Sequence, residues 1–241
     1  MSVMLIGIAL LTALSTFLGG LFALRFKDKS HLIVGFSAGA VVGVAFFELL
    51  PEALELGVSY GTHSIASIVA LGFILYLLID RFFHTHPEAE GAHDHEHVHR
   101  GQLRASSLSF HSLLDGIGIG LAFQVSPAVG IAVSVAVLAH DFSDGINTVT
   151  SIIKGGGDRM QAMKWLVVDS IAPIVGIFAT LFFTVSDSTL GIMLALFAGF
   201  FLYIGASDLI PESYHAHPTK RTTLATIVGV VVIFLVINIA G

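Results

Sequence analysis

The sequence contains no cysteine, which excludes disulfide bonds and thiolate metal sites. It is also poor in charge, since only 12% of its residues are Asp, Glu, Lys or Arg, whereas a soluble domain has about 25%. With 55% hydrophobic residues, the chain cannot cover its surface in water without exposing large apolar patches. The shortage of charge therefore predicts a protein whose main solvent is lipid.

Long hydrophobic runs occupy the chain instead. A membrane-spanning helix needs about 20 mostly apolar residues, and eight such segments fill nearly the whole sequence: 3–24, 32–50, 63–83, 105–124, 127–151, 163–185, 189–210 and 222–240. We predict an all-α integral membrane protein with eight transmembrane helices in a single domain over 1–241. The first run lacks a basic leader and a small-residue cleavage site, so we expect it to be retained as a span.

The basic residues are confined to alternate connections. They lie at or near the connections after spans one, three, five and seven: Arg25, Lys27, Lys29, Arg81, Arg100, Arg104, Lys154, Arg159, Lys164, Lys220 and Arg221. The positive-inside rule assigns these connections to the cytoplasm. Both termini then lie outside the cytoplasm, which requires an even number of spans. We expect an integral protein of the plasma (inner) membrane.

One connection, residues 84–104, is long and polar. It begins HTHPEAEGAHDHEHVHR and contains six of the twelve His of the chain. Because it has little to bury, we predict a His-rich cytoplasmic loop. Imidazole together with carboxylate suits zinc and similar ions, so the loop is a candidate for capturing metal. A solvated linker without metal is the alternative.

Ionisable residues lie inside the predicted spans, where each costs about 2.5–3.5 kcal/mol on insertion scales and usually marks a functional site. They are Glu48 on span two, His111 and Asp115 on span four, His140, Asp141 and Asp144 on span five, Asp169 on span six and Asp208 on span seven. No Lys or Arg lies in a span core. A bound cation is the simplest source of the compensating positive charge.

The spacing of these residues places pairs of them on shared helix faces. Residues four apart lie about 6 Å from each other at Cβ, which applies to His111 with Asp115 and to His140 with Asp144. Two consecutive spans that read H-x-x-x-D-G predict a divalent metal site between spans four and five. For a lone residue such as Asp169, a structural hydrogen bond between helices is an equal alternative.

Two further patterns accompany this site. Gly116 and Gly145 follow the two Asp residues and either permit the close approach of another backbone or allow the helix to bend. Span two ends in ELLPE from Glu48, and span seven ends in DLIPE from Asp208. Such a match at opposite membrane surfaces predicts an inverted repeat of spans 1–3 and 6–8 around spans 4–5, with coincidence as the alternative.

Over its whole length the chain resembles the ZIP (Zrt/Irt-like protein) family of divalent metal transporters. The family's span-four motif, close to HNxPEG, stands here as HSLLDG from His111, and its span-five motif, often HExPxE, stands as HDFSDG from His140. The eight spans, the outside termini and the His-rich loop also follow the family pattern. The chain departs from it at both motif prolines, replaced by Leu114 and Ser143, and in carrying Asp for each motif Glu.

The resemblance implies transport of divalent metal toward the cytoplasm, with zinc as the expected cargo and iron, manganese, cadmium or cobalt as alternatives. It implies one metal site, a second adjacent site and an exit ligand, formed respectively by His111, Asp115 and Asp144, by Ser112, Asp141 and Asp169, and by Asp208. His140 and Glu48 complete our set of candidate metal residues. We expect metal ions and membrane lipid as partners, no nucleic acid, no organic cofactor and no enzymatic activity, and a homodimer is compatible with the sequence.

Two other functions are compatible with intramembrane metal ligands. A metal-dependent hydrolase needs three protein ligands, an open water position and a general base, but the sequence contains no H-E-x-x-H. The charged ends of spans two and seven would have no role in such an enzyme. A metal sensor that does not transport is the other alternative, and metal flux in liposomes distinguishes it from a transporter.

The distribution of basic residues predicts the topology. Reporter tags at either terminus will be accessible from outside the cytoplasm, and tags within residues 84–104 only from inside, because Lys and Arg are retained on the cytoplasmic side. Labelling of intact and permeabilised cells measures both. A cytoplasmic C-terminus would overturn the orientation and the even number of spans together.

Overall fold

The computed structural model describes residues 3–25, 31–84, 94–216 and 219–240. Within them lie eight long helices and no strand: α1 (Val3–Arg25), α2 (His31–Val44, continued by Ala45–Leu49 and Leu50–Leu56), α3 (Thr62–His84), α4 (Asp94–Val125), α5 (Pro127–Lys154), α6 (Arg159–Ala179), α7 (Asp187–Tyr203, continued by Ile204–Leu209 and Ile210–Ala216) and α8 (Lys220–Ala240). Each of the eight has the length and composition to cross a membrane. The predicted all-α fold of eight spans is confirmed.

Helix α4 begins much earlier than the sequence predicted. It starts at Asp94 rather than at residue 105, so the prediction of a loop is wrong for residues 94–104. Residues 85–93 of the predicted loop lie outside the described residues. Extending an existing helix adds one hydrogen bond per ordered residue, which is far easier than starting a new helix. Burial of Ala105 with Val149 and Ile152 of α5 anchors this extension.

Helices α2 and α7 continue through prolines at which the sequence predicted the spans to end, near residues 50 and 210. A π-helical segment precedes each proline: Ala45–Leu49 before Pro51, and Ile204–Leu209 before Pro211. Proline lacks the N–H for the ordinary i→i−4 bond and clashes with that carbonyl. The wider hydrogen-bond spacing of the π-helix relieves this conflict, so each helix runs about two turns further.

Helix α5 lies at the centre of the bundle. In its most apolar window 72% of the residues are buried, against 17% in α3 and in α8. It packs against α1, α2, α4, α6 and α8. The remaining major contacts pair α4 with α6, α2 with α8, and α3 with α7. Most residues of α5 are therefore shielded from lipid, whereas α3 and α8 expose apolar faces.

Reciprocal glycines hold the major helix pairs in close contact. A Cβ added to Gly116 of α4 would overlap the carbonyl oxygen of Pro173, and one added to Gly176 of α6 would overlap that of Leu113. Gly145 of α5 approaches the carbonyl of Thr16 in the same way. Of the two uses predicted for Gly116 and Gly145, the structure thus shows the close approach of backbones.

The contact of Gly116 predicts a loss of stability in Gly116→Ala. The added methyl group meets a backbone oxygen that cannot rotate away, and overpacking of this kind costs about 1–3 kcal/mol. Gly7→Ala is the matched control, because nothing lies within 4 Å of a Cβ at Gly7. Thermal unfolding of the purified protein in detergent compares the two variants. Equal melting temperatures would contradict the proposed packing.

Candidate metal centre

Four ionisable side chains meet between α4 and α5. One ligand atom from each of His111, Asp115, His140 and Asp144 lies within 4.8 Å of the other three. Each helix contributes a His and, one turn later, an Asp on the same face. The four residues, which we call the quartet, are between 0% and 4% exposed. Residues that are four positions apart on each of two helices thus form one buried cluster.

The ligand atoms of the quartet converge on a single point. Nε2 of His111 lies 3.1 Å from Oδ2 of Asp115 and 3.5 Å from Oδ2 of Asp144. Nε2 of His140 lies 3.1 Å and 3.8 Å from the same two oxygens. The other ring nitrogen of His140 is 3.0 Å from the carbonyl oxygen of Ala136. That carbonyl can only accept, so Nδ1 carries a proton, and Nε2, which faces Oδ2 of Asp115, is the atom through which His140 would ligate a metal.

Several polar atoms of the centre are buried without a hydrogen-bond partner among the described residues. They are both ring nitrogens of His111, Oδ1 of Asp115, Oδ2 of Asp144 and both carboxylate oxygens of Asp141. A buried polar group left unpaired costs about 1–3 kcal/mol, and more if it is charged. Two imidazole nitrogens and two carboxylate oxygens around one point form a ligand set suited to a divalent cation.

A second polar cluster joins three helices beside the quartet. Asp169 of α6 is fully buried and accepts hydrogen bonds from Ser112 Oγ at 2.8 Å and from Thr148 Oγ1 at 2.6 Å. Asp141, the third residue of the implied second site, is fully buried, and its carboxylate has no hydrogen-bond partner in the part of the chain that the structure describes. The structure thus brings Ser112 and Asp169 together by direct hydrogen bonding, and neither Asp169 nor Asp141 belongs to the quartet.

The remaining two candidates lie apart from the quartet. Asp208, on the π-helical segment of α7, lines a cavity of about 30 Å³ together with His111 and Asp144. Glu48, on the corresponding segment of α2, is half-buried and lines neither this cavity nor the larger one described below. Asp208 and Glu48 occupy matching positions in the sequence patterns, but only Asp208 lines a cavity that reaches the quartet.

Sequence reasoning missed some residues at the centre. Thr148 lies one turn beyond Asp144 on the face that carries His140, so its spacing was a usable signal. Asp80, an acid near the end of α3, also lines the cavity and accepts a hydrogen bond from Tyr203 at 2.8 Å. Tyr76 packs edge-on against the His111 ring, with the ring centroids 5.9 Å apart. No sequence signal identifies Tyr76, because only the packing of α3 on α7 brings it there.

Comparison with known proteins finds similarity to zinc transporters, both in a family model and in individual proteins. The family model described as ZIP Zinc transporter matches residues 84–237. The chain is 27% identical to zinc transporter ZupT of Corynebacterium aurimucosum, over 86% of this chain and 85% of that protein. It is 25% identical to zinc transporter YKE4 of Saccharomyces cerevisiae (80% and 65%) and 26% identical to zinc transporter GufA of Myxococcus xanthus (92% and 93%).

The ligand set of the quartet predicts that protons compete with metal. Imidazole and carboxylate bind metal only when deprotonated, so lowering the pH weakens binding, by about tenfold per pH unit for each proton displaced. Equilibrium zinc binding to the purified protein between about pH 7.5 and 5.5, where imidazole titrates, measures the slope. His140→Ala is the matched control and should bind more weakly with a shallower slope. Affinity independent of pH in the parent protein would exclude the His ligands.

Proposed function

The chain belongs to the ZIP zinc transporter family, and from that premise we propose that it transports zinc into the cytoplasm through the quartet of His111, Asp115, His140 and Asp144. Transport of divalent metal follows from family membership; the hydrolase alternative is not favoured, because the related proteins are transporters. The identity of the ion, its ligands and the direction of transport are our proposal. The observation that carries it is the convergence of four buried ligand atoms on one point.

The geometry of the quartet favours zinc. Ligand atoms about 2.0–2.1 Å from a tetrahedral ion lie about 3.3 Å from each other. The four Nε2 to Oδ2 distances range from 3.1 to 3.8 Å, near that spacing, and all separations within the quartet stay within 4.8 Å. The side chains would move closer to one another around a tetrahedral ion. Magnesium and calcium prefer six or more oxygen ligands, which this mixed nitrogen and oxygen set does not supply. Iron, manganese, cadmium and cobalt stay as alternative cargoes.

Two cavities support release toward the cytoplasm. The inner cavity, the one of about 30 Å³ beside His111 and Asp144, is followed by an outer cavity of about 250 Å³, and Arg104 and Asn147 line both. The outer cavity also reaches Lys154 at the end of α5. Basic residues mark this end of the bundle, and the positive-inside rule assigns it to the cytoplasm. We therefore propose that metal leaves the quartet toward the cytoplasm through these two cavities.

The glycine contacts support an inverted repeat as the basis of this architecture. The pair of Gly116 and Gly176 between α4 and α6 corresponds to the pair of Gly145 and Gly19 between α5 and α1. Helices α2 and α8 meet at Gly39 and Gly229, and α7 and α3 meet at Gly199 and Gly72, with the same reciprocal approach to backbone carbonyls. An exchange of α1 with α6, α2 with α7, α3 with α8 and α4 with α5 reproduces the whole set.

The neighbouring polar cluster has an auxiliary role in this proposal. Both hydroxyls that contact Asp169 donate to it, so this carboxylate ties α4, α5 and α6 together and supports the helix that carries His111. Asp141 is the residue of the implied second site with free ligand atoms. A second ion bound there would have to displace the Ser112 hydrogen bond, and we assign the main transport step to the quartet.

The proposal predicts a clear difference between two groups of variants. His111→Ala and Asp144→Ala remove ligands of the quartet and will abolish zinc flux, while membrane insertion is preserved because loss of an intramembrane polar group makes insertion easier. Asp169→Ala will slow flux and leave it measurable. Zinc uptake into proteoliposomes, at equal amounts of reconstituted protein, measures both. Wild-type rates in the quartet variants, with no flux in Asp169→Ala, would show that the path runs elsewhere.

A further inference from the structure

Arg104 lies at the junction of the two cavities. Among the described residues that line the inner cavity it is the only Lys or Arg, and it also lines the outer one. It precedes His111 by two turns of α4, so the two side chains project from the same face of the helix. A metal ion that leaves the quartet through these cavities must therefore pass the guanidinium group.

Acidic side chains surround this arginine. Asp80 and Asp208 line the inner cavity with it, and Glu212 lines the outer cavity. The charge of Arg104 acts on the carboxylates of both Asp208 and Glu212. Within the described part of the chain, however, no carboxylate oxygen lies within ion-pair distance of the guanidinium. The side chain is close enough to influence these acids and is not fixed to any one of them.

The other polar groups nearby are already engaged. Asn147 donates a hydrogen bond of 2.8 Å to Glu212, and Tyr203 donates one to Asp80. Acids along an exit path attract a divalent cation, but the same field slows its departure. A fixed positive charge beside these acids weakens their attraction for the divalent cation and so speeds its departure. Because a guanidinium stays protonated at every physiological pH, it can act in this way without gaining or losing a proton.

We propose that Arg104 is a tethered cation that competes with the departing metal for the carboxylates of Asp208 and Glu212, and so speeds its release. This inference rests on the proposed function, since it requires that metal leaves through the two cavities. In this role Arg104 is not a ligand. It weakens metal binding along the release path and leaves the quartet unchanged.

The test compares Arg104→Gln with Arg104→Lys in proteoliposomes that take up zinc. Loss of the charge should lower kcat about tenfold and lower KM with it, because release becomes slow while entry is unaffected. Zinc placed in the release compartment should inhibit uptake at about tenfold lower concentration. Arg104→Lys should stay near wild type. Lys154→Gln is the matched control, since it removes the same charge from the outer cavity alone and should change uptake less than twofold.

The possible results separate the inference from the function on which it rests. Absence of zinc uptake by the wild-type protein contradicts the proposed function. Normal wild-type uptake, with unchanged kcat and unchanged release-side inhibition in Arg104→Gln, overturns the role of Arg104. An equal effect of Lys154→Gln also overturns it, because any positive charge lining the outer cavity would then have the same effect on release.

A second variant covers the case in which Arg104→Gln does not fold. Glu212→Gln retains an acceptor for the Asn147 hydrogen bond and removes one carboxylate that Arg104 neutralises. Release-side inhibition should then require about tenfold more zinc, the opposite direction to Arg104→Gln. Unchanged inhibition in this variant also overturns the proposal.

Discussion

The buried carboxylates of Asp115 and Asp144 are the constraint on which the rest of the structure depends. They face two imidazoles at the centre of an apolar bundle, and among the described residues no lysine or arginine lies within ion-pair distance of them. Charge buried in a low-dielectric interior is tolerated only when a partner compensates it. In the proposed function a divalent cation is that partner. The lack of a fixed positive charge beside these carboxylates leaves them available to a transported cation.

Close packing of backbones makes such a compact site attainable. Asp is one methylene shorter than the Glu of the family motif, so the helices that carry these ligands must lie close together. Glycine contacts hold each of these two helices against a neighbour without intervening side chains, α5 against α1 and α4 against α6. The replaced proline of span five has a related consequence: Ser143 pairs with Ser37 at 3.0 Å, and Ser37 also donates to the carbonyl of Ala139. These hydrogen bonds join α5 to α2.

The polar groups change in character along the path from the quartet. The quartet offers four buried ligand atoms, while the cavities beyond it mix carboxylates with Arg104, Asn147 and, further out, Lys154. Tight coordination suits selection of an ion, and a mixed field suits its departure. The π-helical segment of α7 contributes to this gradient, because it allows the helix to continue past Pro211 and carry both Asp208 and Glu212.

The sequence by itself determined the number of spans and placed all four members of the quartet among its nine candidate metal residues. Span length follows from bilayer thickness, and a spacing of four places His and Asp on one face of a helix. Both are local properties. Only the tertiary structure showed that the Ser112 hydroxyl donates a hydrogen bond to Asp169, and that Asp208 lines the inner cavity while Glu48 does not. It also decided how far α4 extends and that Tyr76 and Arg104 line the inner cavity. Each of these depends on the distance between helices, which hydrophobic periodicity does not encode.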